Sequence, residues 1–300
     1  MDMTQNKCCR HGASLRRRRR RRRKILRSII FSCSIIAVAV FVAVGSRMIT
    51  SGDGRTNKYD VEAGNNTYDN TVIENSKISE KNKIQNNQSM LDDIMNSTQY
   101  PKQLKDLALK NEEALEFVYD YPAEHVKEHT IDLTEEASMD SVPLFVQWDK
   151  RWGYEKYSGN FFAASGCGPT TLSMVVVYLT HNREASPIAV AKYSKEAGYS
   201  VDGSGSSWTL ISEGCMHYGV KAKAVALDES RMKAELDEGH PIVVNVGPGD
   251  FTDTGHFMVI TGYDDEGFSI NDPNSIEKSG KRWLFRNISS QIRAVWSMYV

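Results

Sequence analysis

Three hundred residues, 40% of them hydrophobic, leave room for a domain of about 150 to 200 residues with a real core and further segments beside it. The formal net charge of −1 sums two unlike parts: residues 1–50 hold 13 Lys and Arg against one acid, and the rest hold 24 against 37, a net of −13. No basic run follows the first 50 residues and the remainder is net acidic, so no nucleic-acid partner is expected.

Eight consecutive arginines, Arg16–Arg23, with Lys24 and Arg27, precede Ser28–Val44, 17 residues without a charge. As a helix this run is about 25 Å long, the low end of a membrane span, and a positive flank stays in the cytoplasm. The expectation is a cytoplasmic basic tail (1–27), a transmembrane signal anchor (28–46) and a catalytic domain outside the cell, at the cell membrane. A cleaved signal peptide and a secreted protein are the alternative. Residues 47–99, rich in Asn, Ser, Lys and Asp without a sustained apolar period, read as a disordered linker.

From 100 to 141 the pattern is that of a helical lead-in: Leu104, Leu107, Ala108, Leu115 and Val118 recur at helical spacing up to Tyr121-Pro122. Val142–Val146 reads as a first strand and opens the main domain, 142–300. Pro169–Leu179 places Leu172, Val175, Val176 and Leu179 on one helical face. Ser186-Pro187 is a cap followed by Pro at the first helical position, with Gly198 as the stop. Residues 208–218 and 228–238 read as two more helices. Pro241–Val246, His256–Tyr263 and Gly267–Asn271 then read as short strands separated by Gly, Pro and Asp turns. Helices first and an antiparallel sheet after them predict an α+β fold, preceded by a single transmembrane helix.

Five cysteines do not make a disulfide framework, since only Cys167 and Cys215 lie beyond the first 50 residues. Those two can pair in an oxidising exterior. Cys167, between Gly166 and Gly168 and just ahead of Pro169, stands where a helix should start. Unpaired N–H groups and the helix dipole there favour a thiolate. A base for such a nucleophile is best supplied by His256, which follows Thr254-Gly255 and opens a strand. An orienting group is offered by Asn271 and Asp272 at the end of the next strand, and alternation allows only one of them to meet His256. Gln147 offers an oxyanion donor beside the Cys167 N–H. Each residue alone has an ordinary structural reading; the chain order Gln, Cys, His, Asp/Asn is that of a papain-type site.

The segments VPLFVQWDKRWG, GCGPTTLSMVVVYL, GPGDFTDTGHFMVITGY and INDPNS resemble the bacteriocin-processing-like cysteine peptidases, specifically a stand-alone, membrane-tethered bacterial group. The resemblance covers residues 142–300, and the lead-in YPKQLKDLALKNEEALEFVYDYP resembles a region that precedes the domain in such proteins. It implies a papain-like fold with helices packed on an antiparallel sheet, Cys167 as nucleophile, His256 as base and acid, Asp272 as orienter and Gln147 as oxyanion donor. Transporter-fused relatives carry their Gln only a few residues before Cys, whereas Gln147 lies 20 upstream.

The expected function is a thiol peptidase acting on a peptide or protein substrate without metal or cofactor. A cell-wall peptide amidase or transpeptidase on the same fold is one alternative. A surface binding module with Cys167 in a disulfide is another.

Overall fold

The computed structural model describes residues 67–300. The basic tail, the expected transmembrane segment 28–46 and the first part of the expected linker lie outside the described residues. Among the described residues no helix is long and apolar enough to cross a membrane. The fold class, expected as α+β preceded by a transmembrane helix, is corrected accordingly: the architecture is α+β, and the described residues hold no spanning helix. The helix that does precede it, α1 (Thr67–Asn96), carries charged or amide side chains on every turn, and such groups leave water for hydrocarbon only at large cost. α1 runs through much of the stretch read as linker. Met90, Leu91 and Ile94, near its C-terminal end, are the side chains that dock on the lead-in.

The lead-in opens with α2 (Lys102–Lys110), a 3₁₀ turn (Glu112–Ala114) and α3 (Leu115–Tyr119), followed by short helical turns at Tyr121–Glu124 and Thr134–Ser138. Leu104, Leu107 and Ala108 form one buried face of α2 at i, i+3, i+4 spacing. They pack with Ile94, Leu115, Phe117, Val118, Phe161 and Ala163. The core of the lead-in is therefore shared with the residues immediately ahead of Cys167.

The domain proper places α4 (Cys167–Thr180), α5 (Pro187–Glu196) and α6 (Glu229–Asp237) around a six-stranded sheet. The Ser186 hydroxyl accepts from Ala189 N at 3.3 Å and the Asp228 carboxylate from Arg231 N at 2.9 Å, which caps α5 and α6. The helix expected over 208–218 is split into a turn at Thr209–Ser212 and a 3₁₀ segment at Gly214–Tyr218. Gly214, against which the Tyr199 ring packs, is a poor helix former at the break.

The strands are β1 (Lys221–Ala224), β2 (Ile242–Val246), β3 (His256–Asp264), β4 (Gly267–Asn271), β5 (Arg282–Trp283) and β6 (Ile292–Tyr299). They pair in the order β1-β6-β2-β3-β4-β5, every pair antiparallel. Val243, Phe257, Val259, Trp296 and Met298 face the core shared with α4 and α5. Ile242, Val244, Val246, Met258 and Ile260 face a second core completed by Met232 of α6, Phe251 and Ile288. Both faces are covered, which is why β2 is buried along its whole length and apolar at every position but Asn245.

One expected strand is absent: Val142–Val146 is extended but pairs with no strand. Pro143 has no N–H to give a ladder, and the carbonyls of Val142 and Pro143 are taken instead by Asn271 Nδ2 at 3.1 and 3.0 Å. The segment is thereby fastened alongside the end of β4.

Because Leu104 is fully buried, Leu104→Ala should destabilise the whole folded unit by about 2–5 kcal/mol. Urea unfolding followed by tryptophan fluorescence checks this. A loss below about 1 kcal/mol would mean that the lead-in is only loosely attached.

Candidate active site

Cys167 is the first residue of α4 and follows a separate helical turn, Phe162–Ser165. Gly166 joins the two: its N–H donates to Phe162 O at 2.7 Å and its carbonyl accepts from Thr170 N at 3.0 Å. Pro169 is thus the third helical residue, two beyond the cysteine. The flanking glycines answer to space. A Cβ on Gly166 would lie 2.6 Å from the Phe162 ring, and one on Gly168 would lie 2.5 Å from Ser206 Oγ. This close packing sets the helix start, and with it the half-buried thiol, against the neighbouring loop.

Cys167 and Cys215 are both free, so the disulfide alternative is not realised. Cys215 is fully buried in the helix-side core. Burial pushes its thiol up to about 11, which makes it a packing residue.

His256 opens β3 and is 6% exposed. Its Nε2 lies 2.7 Å from Oδ1 of the fully buried Asp272. With a carboxylate as acceptor, Nε2 carries the hydrogen, which leaves Nδ1 as the ring nitrogen free to exchange a proton; His256 and Cys167 line the same cleft. Asn271 points the other way, to Val142 and Pro143. The register explains this division. Val259 pairs with Asn271 and Ile260 with Ile270, but Gly262 already pairs with Ser269, so a bulge at Thr261 offsets the hairpin by one residue. The offset gives Asp272 the side-chain parity of Met258 and His256 rather than that of Val259.

Gln147 is 4% exposed and sits on the turn after Asp272 through its backbone N–H, which donates to Pro273 O at 2.7 Å. Its Nε2 donates to Ala163 O at 2.7 Å, while Oε1 is buried without a partner. An amide nitrogen has two hydrogens, so one donor remains after the Ala163 bond. Gln147, Cys167 and His256 all line one cleft of about 500 Å³. One wall of it is α2, through Asp106, Leu107 and Lys110, and another is the 249–255 loop.

Electrostatics bind the pair together. Burial raises the Cys167 thiol, but the hydrogen bond and positive charge of His256, with backbone groups of Phe257 and Gly168, outweigh it and hold the thiol below its ordinary value. For His256, burial disfavours the charged ring. The adjacent Asp272 carboxylate and the Cys167 sulfur outweigh that, so the imidazolium persists well above the usual histidine range. Both shifts favour the thiolate and imidazolium form of the pair. Among the described residues, no group of three or more His, Cys, Asp or Glu is arranged to hold a metal ion.

Sequence reasoning missed the residues that hold the Asp272 turn. Asn274 N donates to Asp272 Oδ1 at 2.8 Å, and Trp148 Nε1 donates to Asn274 O at 3.2 Å. Asn111 and Glu113 of the lead-in also bond to the turn. An Asn or Glu in a polar stretch carries no local sign of a partner some 160 residues away; only Trp148, directly after Gln147, lay next to a marked position.

Residues 139–300 match the model of the Peptidase_C39 like family. No curated protein matches the chain. Among solved structures it is similar to the peptidase domain of Streptococcus ComA, a bi-functional ABC transporter involved in a quorum-sensing pathway. That likeness has 20% identity and a TM-score of 0.36, and covers 45% of this chain and 90% of that one. It is also similar to a structure described as a C39-like peptidase from Bacillus anthracis, with 17% identity and a TM-score of 0.31, covering 57% of this chain and 98% of that one.

The geometry predicts that iodoacetamide modifies Cys167 and spares Cys215 in the folded protein. The rate for Cys167 should rise with pH through an inflection below that of an ordinary thiol. In His256→Ala the lowering contributions vanish and burial remains, so the inflection should move up. Mass mapping of alkylated peptides across pH reads both; equal labelling of the two cysteines would contradict the arrangement.

Proposed function

Because this chain belongs to the Peptidase_C39 like family and is thereby a cysteine peptidase, we propose that Cys167 is its nucleophile, His256 its acid and base, Asp272 the group that orients His256, and Gln147 an oxyanion donor. The observation that carries this reading is the 2.7 Å hydrogen bond between the buried Asp272 carboxylate and His256, whose ring lines the same cleft as Cys167 and Gln147.

The chemistry follows from the charges. The Cys167 thiolate attacks the carbonyl carbon of a peptide bond in the cleft, and the carbonyl electrons move onto oxygen. That oxyanion is held by the Cys167 N–H and the remaining Gln147 Nε2 hydrogen. His256 gives its Nδ1 proton to the leaving amine as the C–N bond breaks, which leaves a thioester. A water molecule then loses its proton to His256 and attacks the thioester, and the carboxylic acid departs as the thiolate is restored. Asp272 keeps the ring in one orientation and tautomer and is not itself protonated.

The domain is further proposed to work outside the cytoplasm. Support comes from the order of Arg16–Arg23 ahead of the apolar run Ser28–Val44, which is that of a targeting segment. Digestion of intact cells with an added protease tests it: an ectodomain that resists cleavage until lysis would place the activity inside.

Cys167→Ala should abolish hydrolysis of a peptide panel, measured as released amine, while the circular dichroism spectrum is kept. Gln147→Ala should lower kcat by about 10²–10³ and Asp272→Asn by up to about 10⁴. Hydrolysis surviving in Cys167→Ala would remove the assignment.

The pH profile follows from the two shifts. kcat/KM should begin to rise below the ordinary thiol range, as the lowered Cys167 ionises. It should fall only far above the ordinary histidine range, where the raised His256 loses the proton that the leaving amine needs. A single rise near an ordinary thiol value would contradict the ion pair.

A further inference from the structure

Asp272 does not hold itself. Its Oδ1 accepts from both His256 and Asn274 N, while Oδ2 is buried without a hydrogen-bond partner. A carboxylate bonded through one oxygen keeps its place only if the backbone that carries it is rigid. That backbone is the turn 272–277, and it is clamped from the lead-in, outside the residues that match the family. Glu113 spans the start of the short helix after the turn: its Oε1 accepts from Ser275 Oγ, and its Oε2 accepts from Ile276 N at 2.7 Å and Glu277 N at 3.1 Å. Asn111 Nδ2 donates to Asn274 O at 2.9 Å and to Asn274 Oδ1 at 3.1 Å. The two residues brace each other, since Asn111 Oδ1 accepts from Glu113 N at 3.0 Å. Asn274, in turn, is the residue whose N–H meets Asp272 Oδ1. Pro273, inside the same turn, takes the backbone N–H of Gln147.

We propose that Glu113 and Asn111 are positioning residues of the catalytic site, a latch in the lead-in that fixes the 272–277 turn and so aims the Asp272 carboxylate at His256. The lead-in is then a working part of the site, and the matched domain alone lacks the clamp on its orienting acid. The kinetic consequence rests on the roles proposed above for Cys167, His256 and Asp272; the structural consequence, that the His256–Asp272 hydrogen bond weakens without the latch, does not.

The test uses the full chain with Glu113→Ala, Asn111→Ala and Glu113→Gln, each checked for cooperative melting. Three readings are taken: the hydrogen-bonded His256 Nε2–H proton by NMR, the pH profile of Cys167 alkylation, and kcat with KM. In both Ala variants the ring proton should broaden or shift towards that of a free imidazole. The alkylation inflection should move up as the imidazolium loses support. kcat should fall about 10- to 100-fold, with KM changed by less than about twofold. Glu113→Gln keeps the shape and an acceptor for the two backbone N–H groups, so it should restore most of all three. A ring proton and alkylation profile like those of the parent chain in both Ala variants overturns the proposal. If the parent chain hydrolyses nothing while its ring proton still depends on Glu113, the peptidase roles fall and the latch stands.

Discussion

The hydrogen bond between His256 and Asp272 is the constraint on which the rest of the structure turns. A fully buried carboxylate costs several kcal/mol unless a charge or hydrogen bonds answer it, and here the answer is the imidazole ring and one backbone N–H. The same contact decides the chemistry at the other end of the ring. Asp272 favours the charged form of His256, and that charge lowers the Cys167 thiol against the opposing effect of burial. One residue thus serves both groups: the ring that answers the buried acid is the ring that lowers the Cys167 thiol.

That contact depends on a register. The bulge at Thr261 offsets the β3–β4 pairing by one residue, and without it Asp272 would pair opposite Val259 and face the helix-side core. Asn271 would then hold the parity that Asp272 now has. The flanking glycines of Cys167 play a comparable part on the helix side, where Phe162 and Ser206 press against positions with no room for a side chain. Two local departures from regular geometry thus bring together groups 89 and 105 residues apart along the chain.

The lead-in joins this arrangement in two places. Its apolar face is buried with Phe161 and Ala163, just ahead of Cys167, and its polar residues reach the turn beyond Asp272. α2 also lines the cleft through Asp106 and Lys110, which lie outside the family match.

Much of the α+β order was legible in the sequence, because periodicity and capping are local: Ser186 and Asp228 cap the helices they introduce, and β2, β3 and β4 lie where apolar runs meet Gly and Asp turns. Local signals failed where neighbours decided. β6 went unread because a register shift between Ile292 and Ala294 breaks its alternation. Val142–Val146 has strand composition, yet Asn271 takes its carbonyls. α1 forms in a stretch whose polar composition suggested none. Of the site, the sequence by itself determined the candidates and their order, since a cysteine between glycines at a helix start and a histidine at a strand mouth are visible in one dimension. Only the tertiary structure decided that Asp272 rather than Asn271 meets His256, that Cys215 stays apart from Cys167, and that Asn111 and Glu113 grip the orienting turn. Those choices rest on a one-residue register offset and on hydrogen bonds between residues more than 160 positions apart, and neither leaves a local mark on the residues that make them.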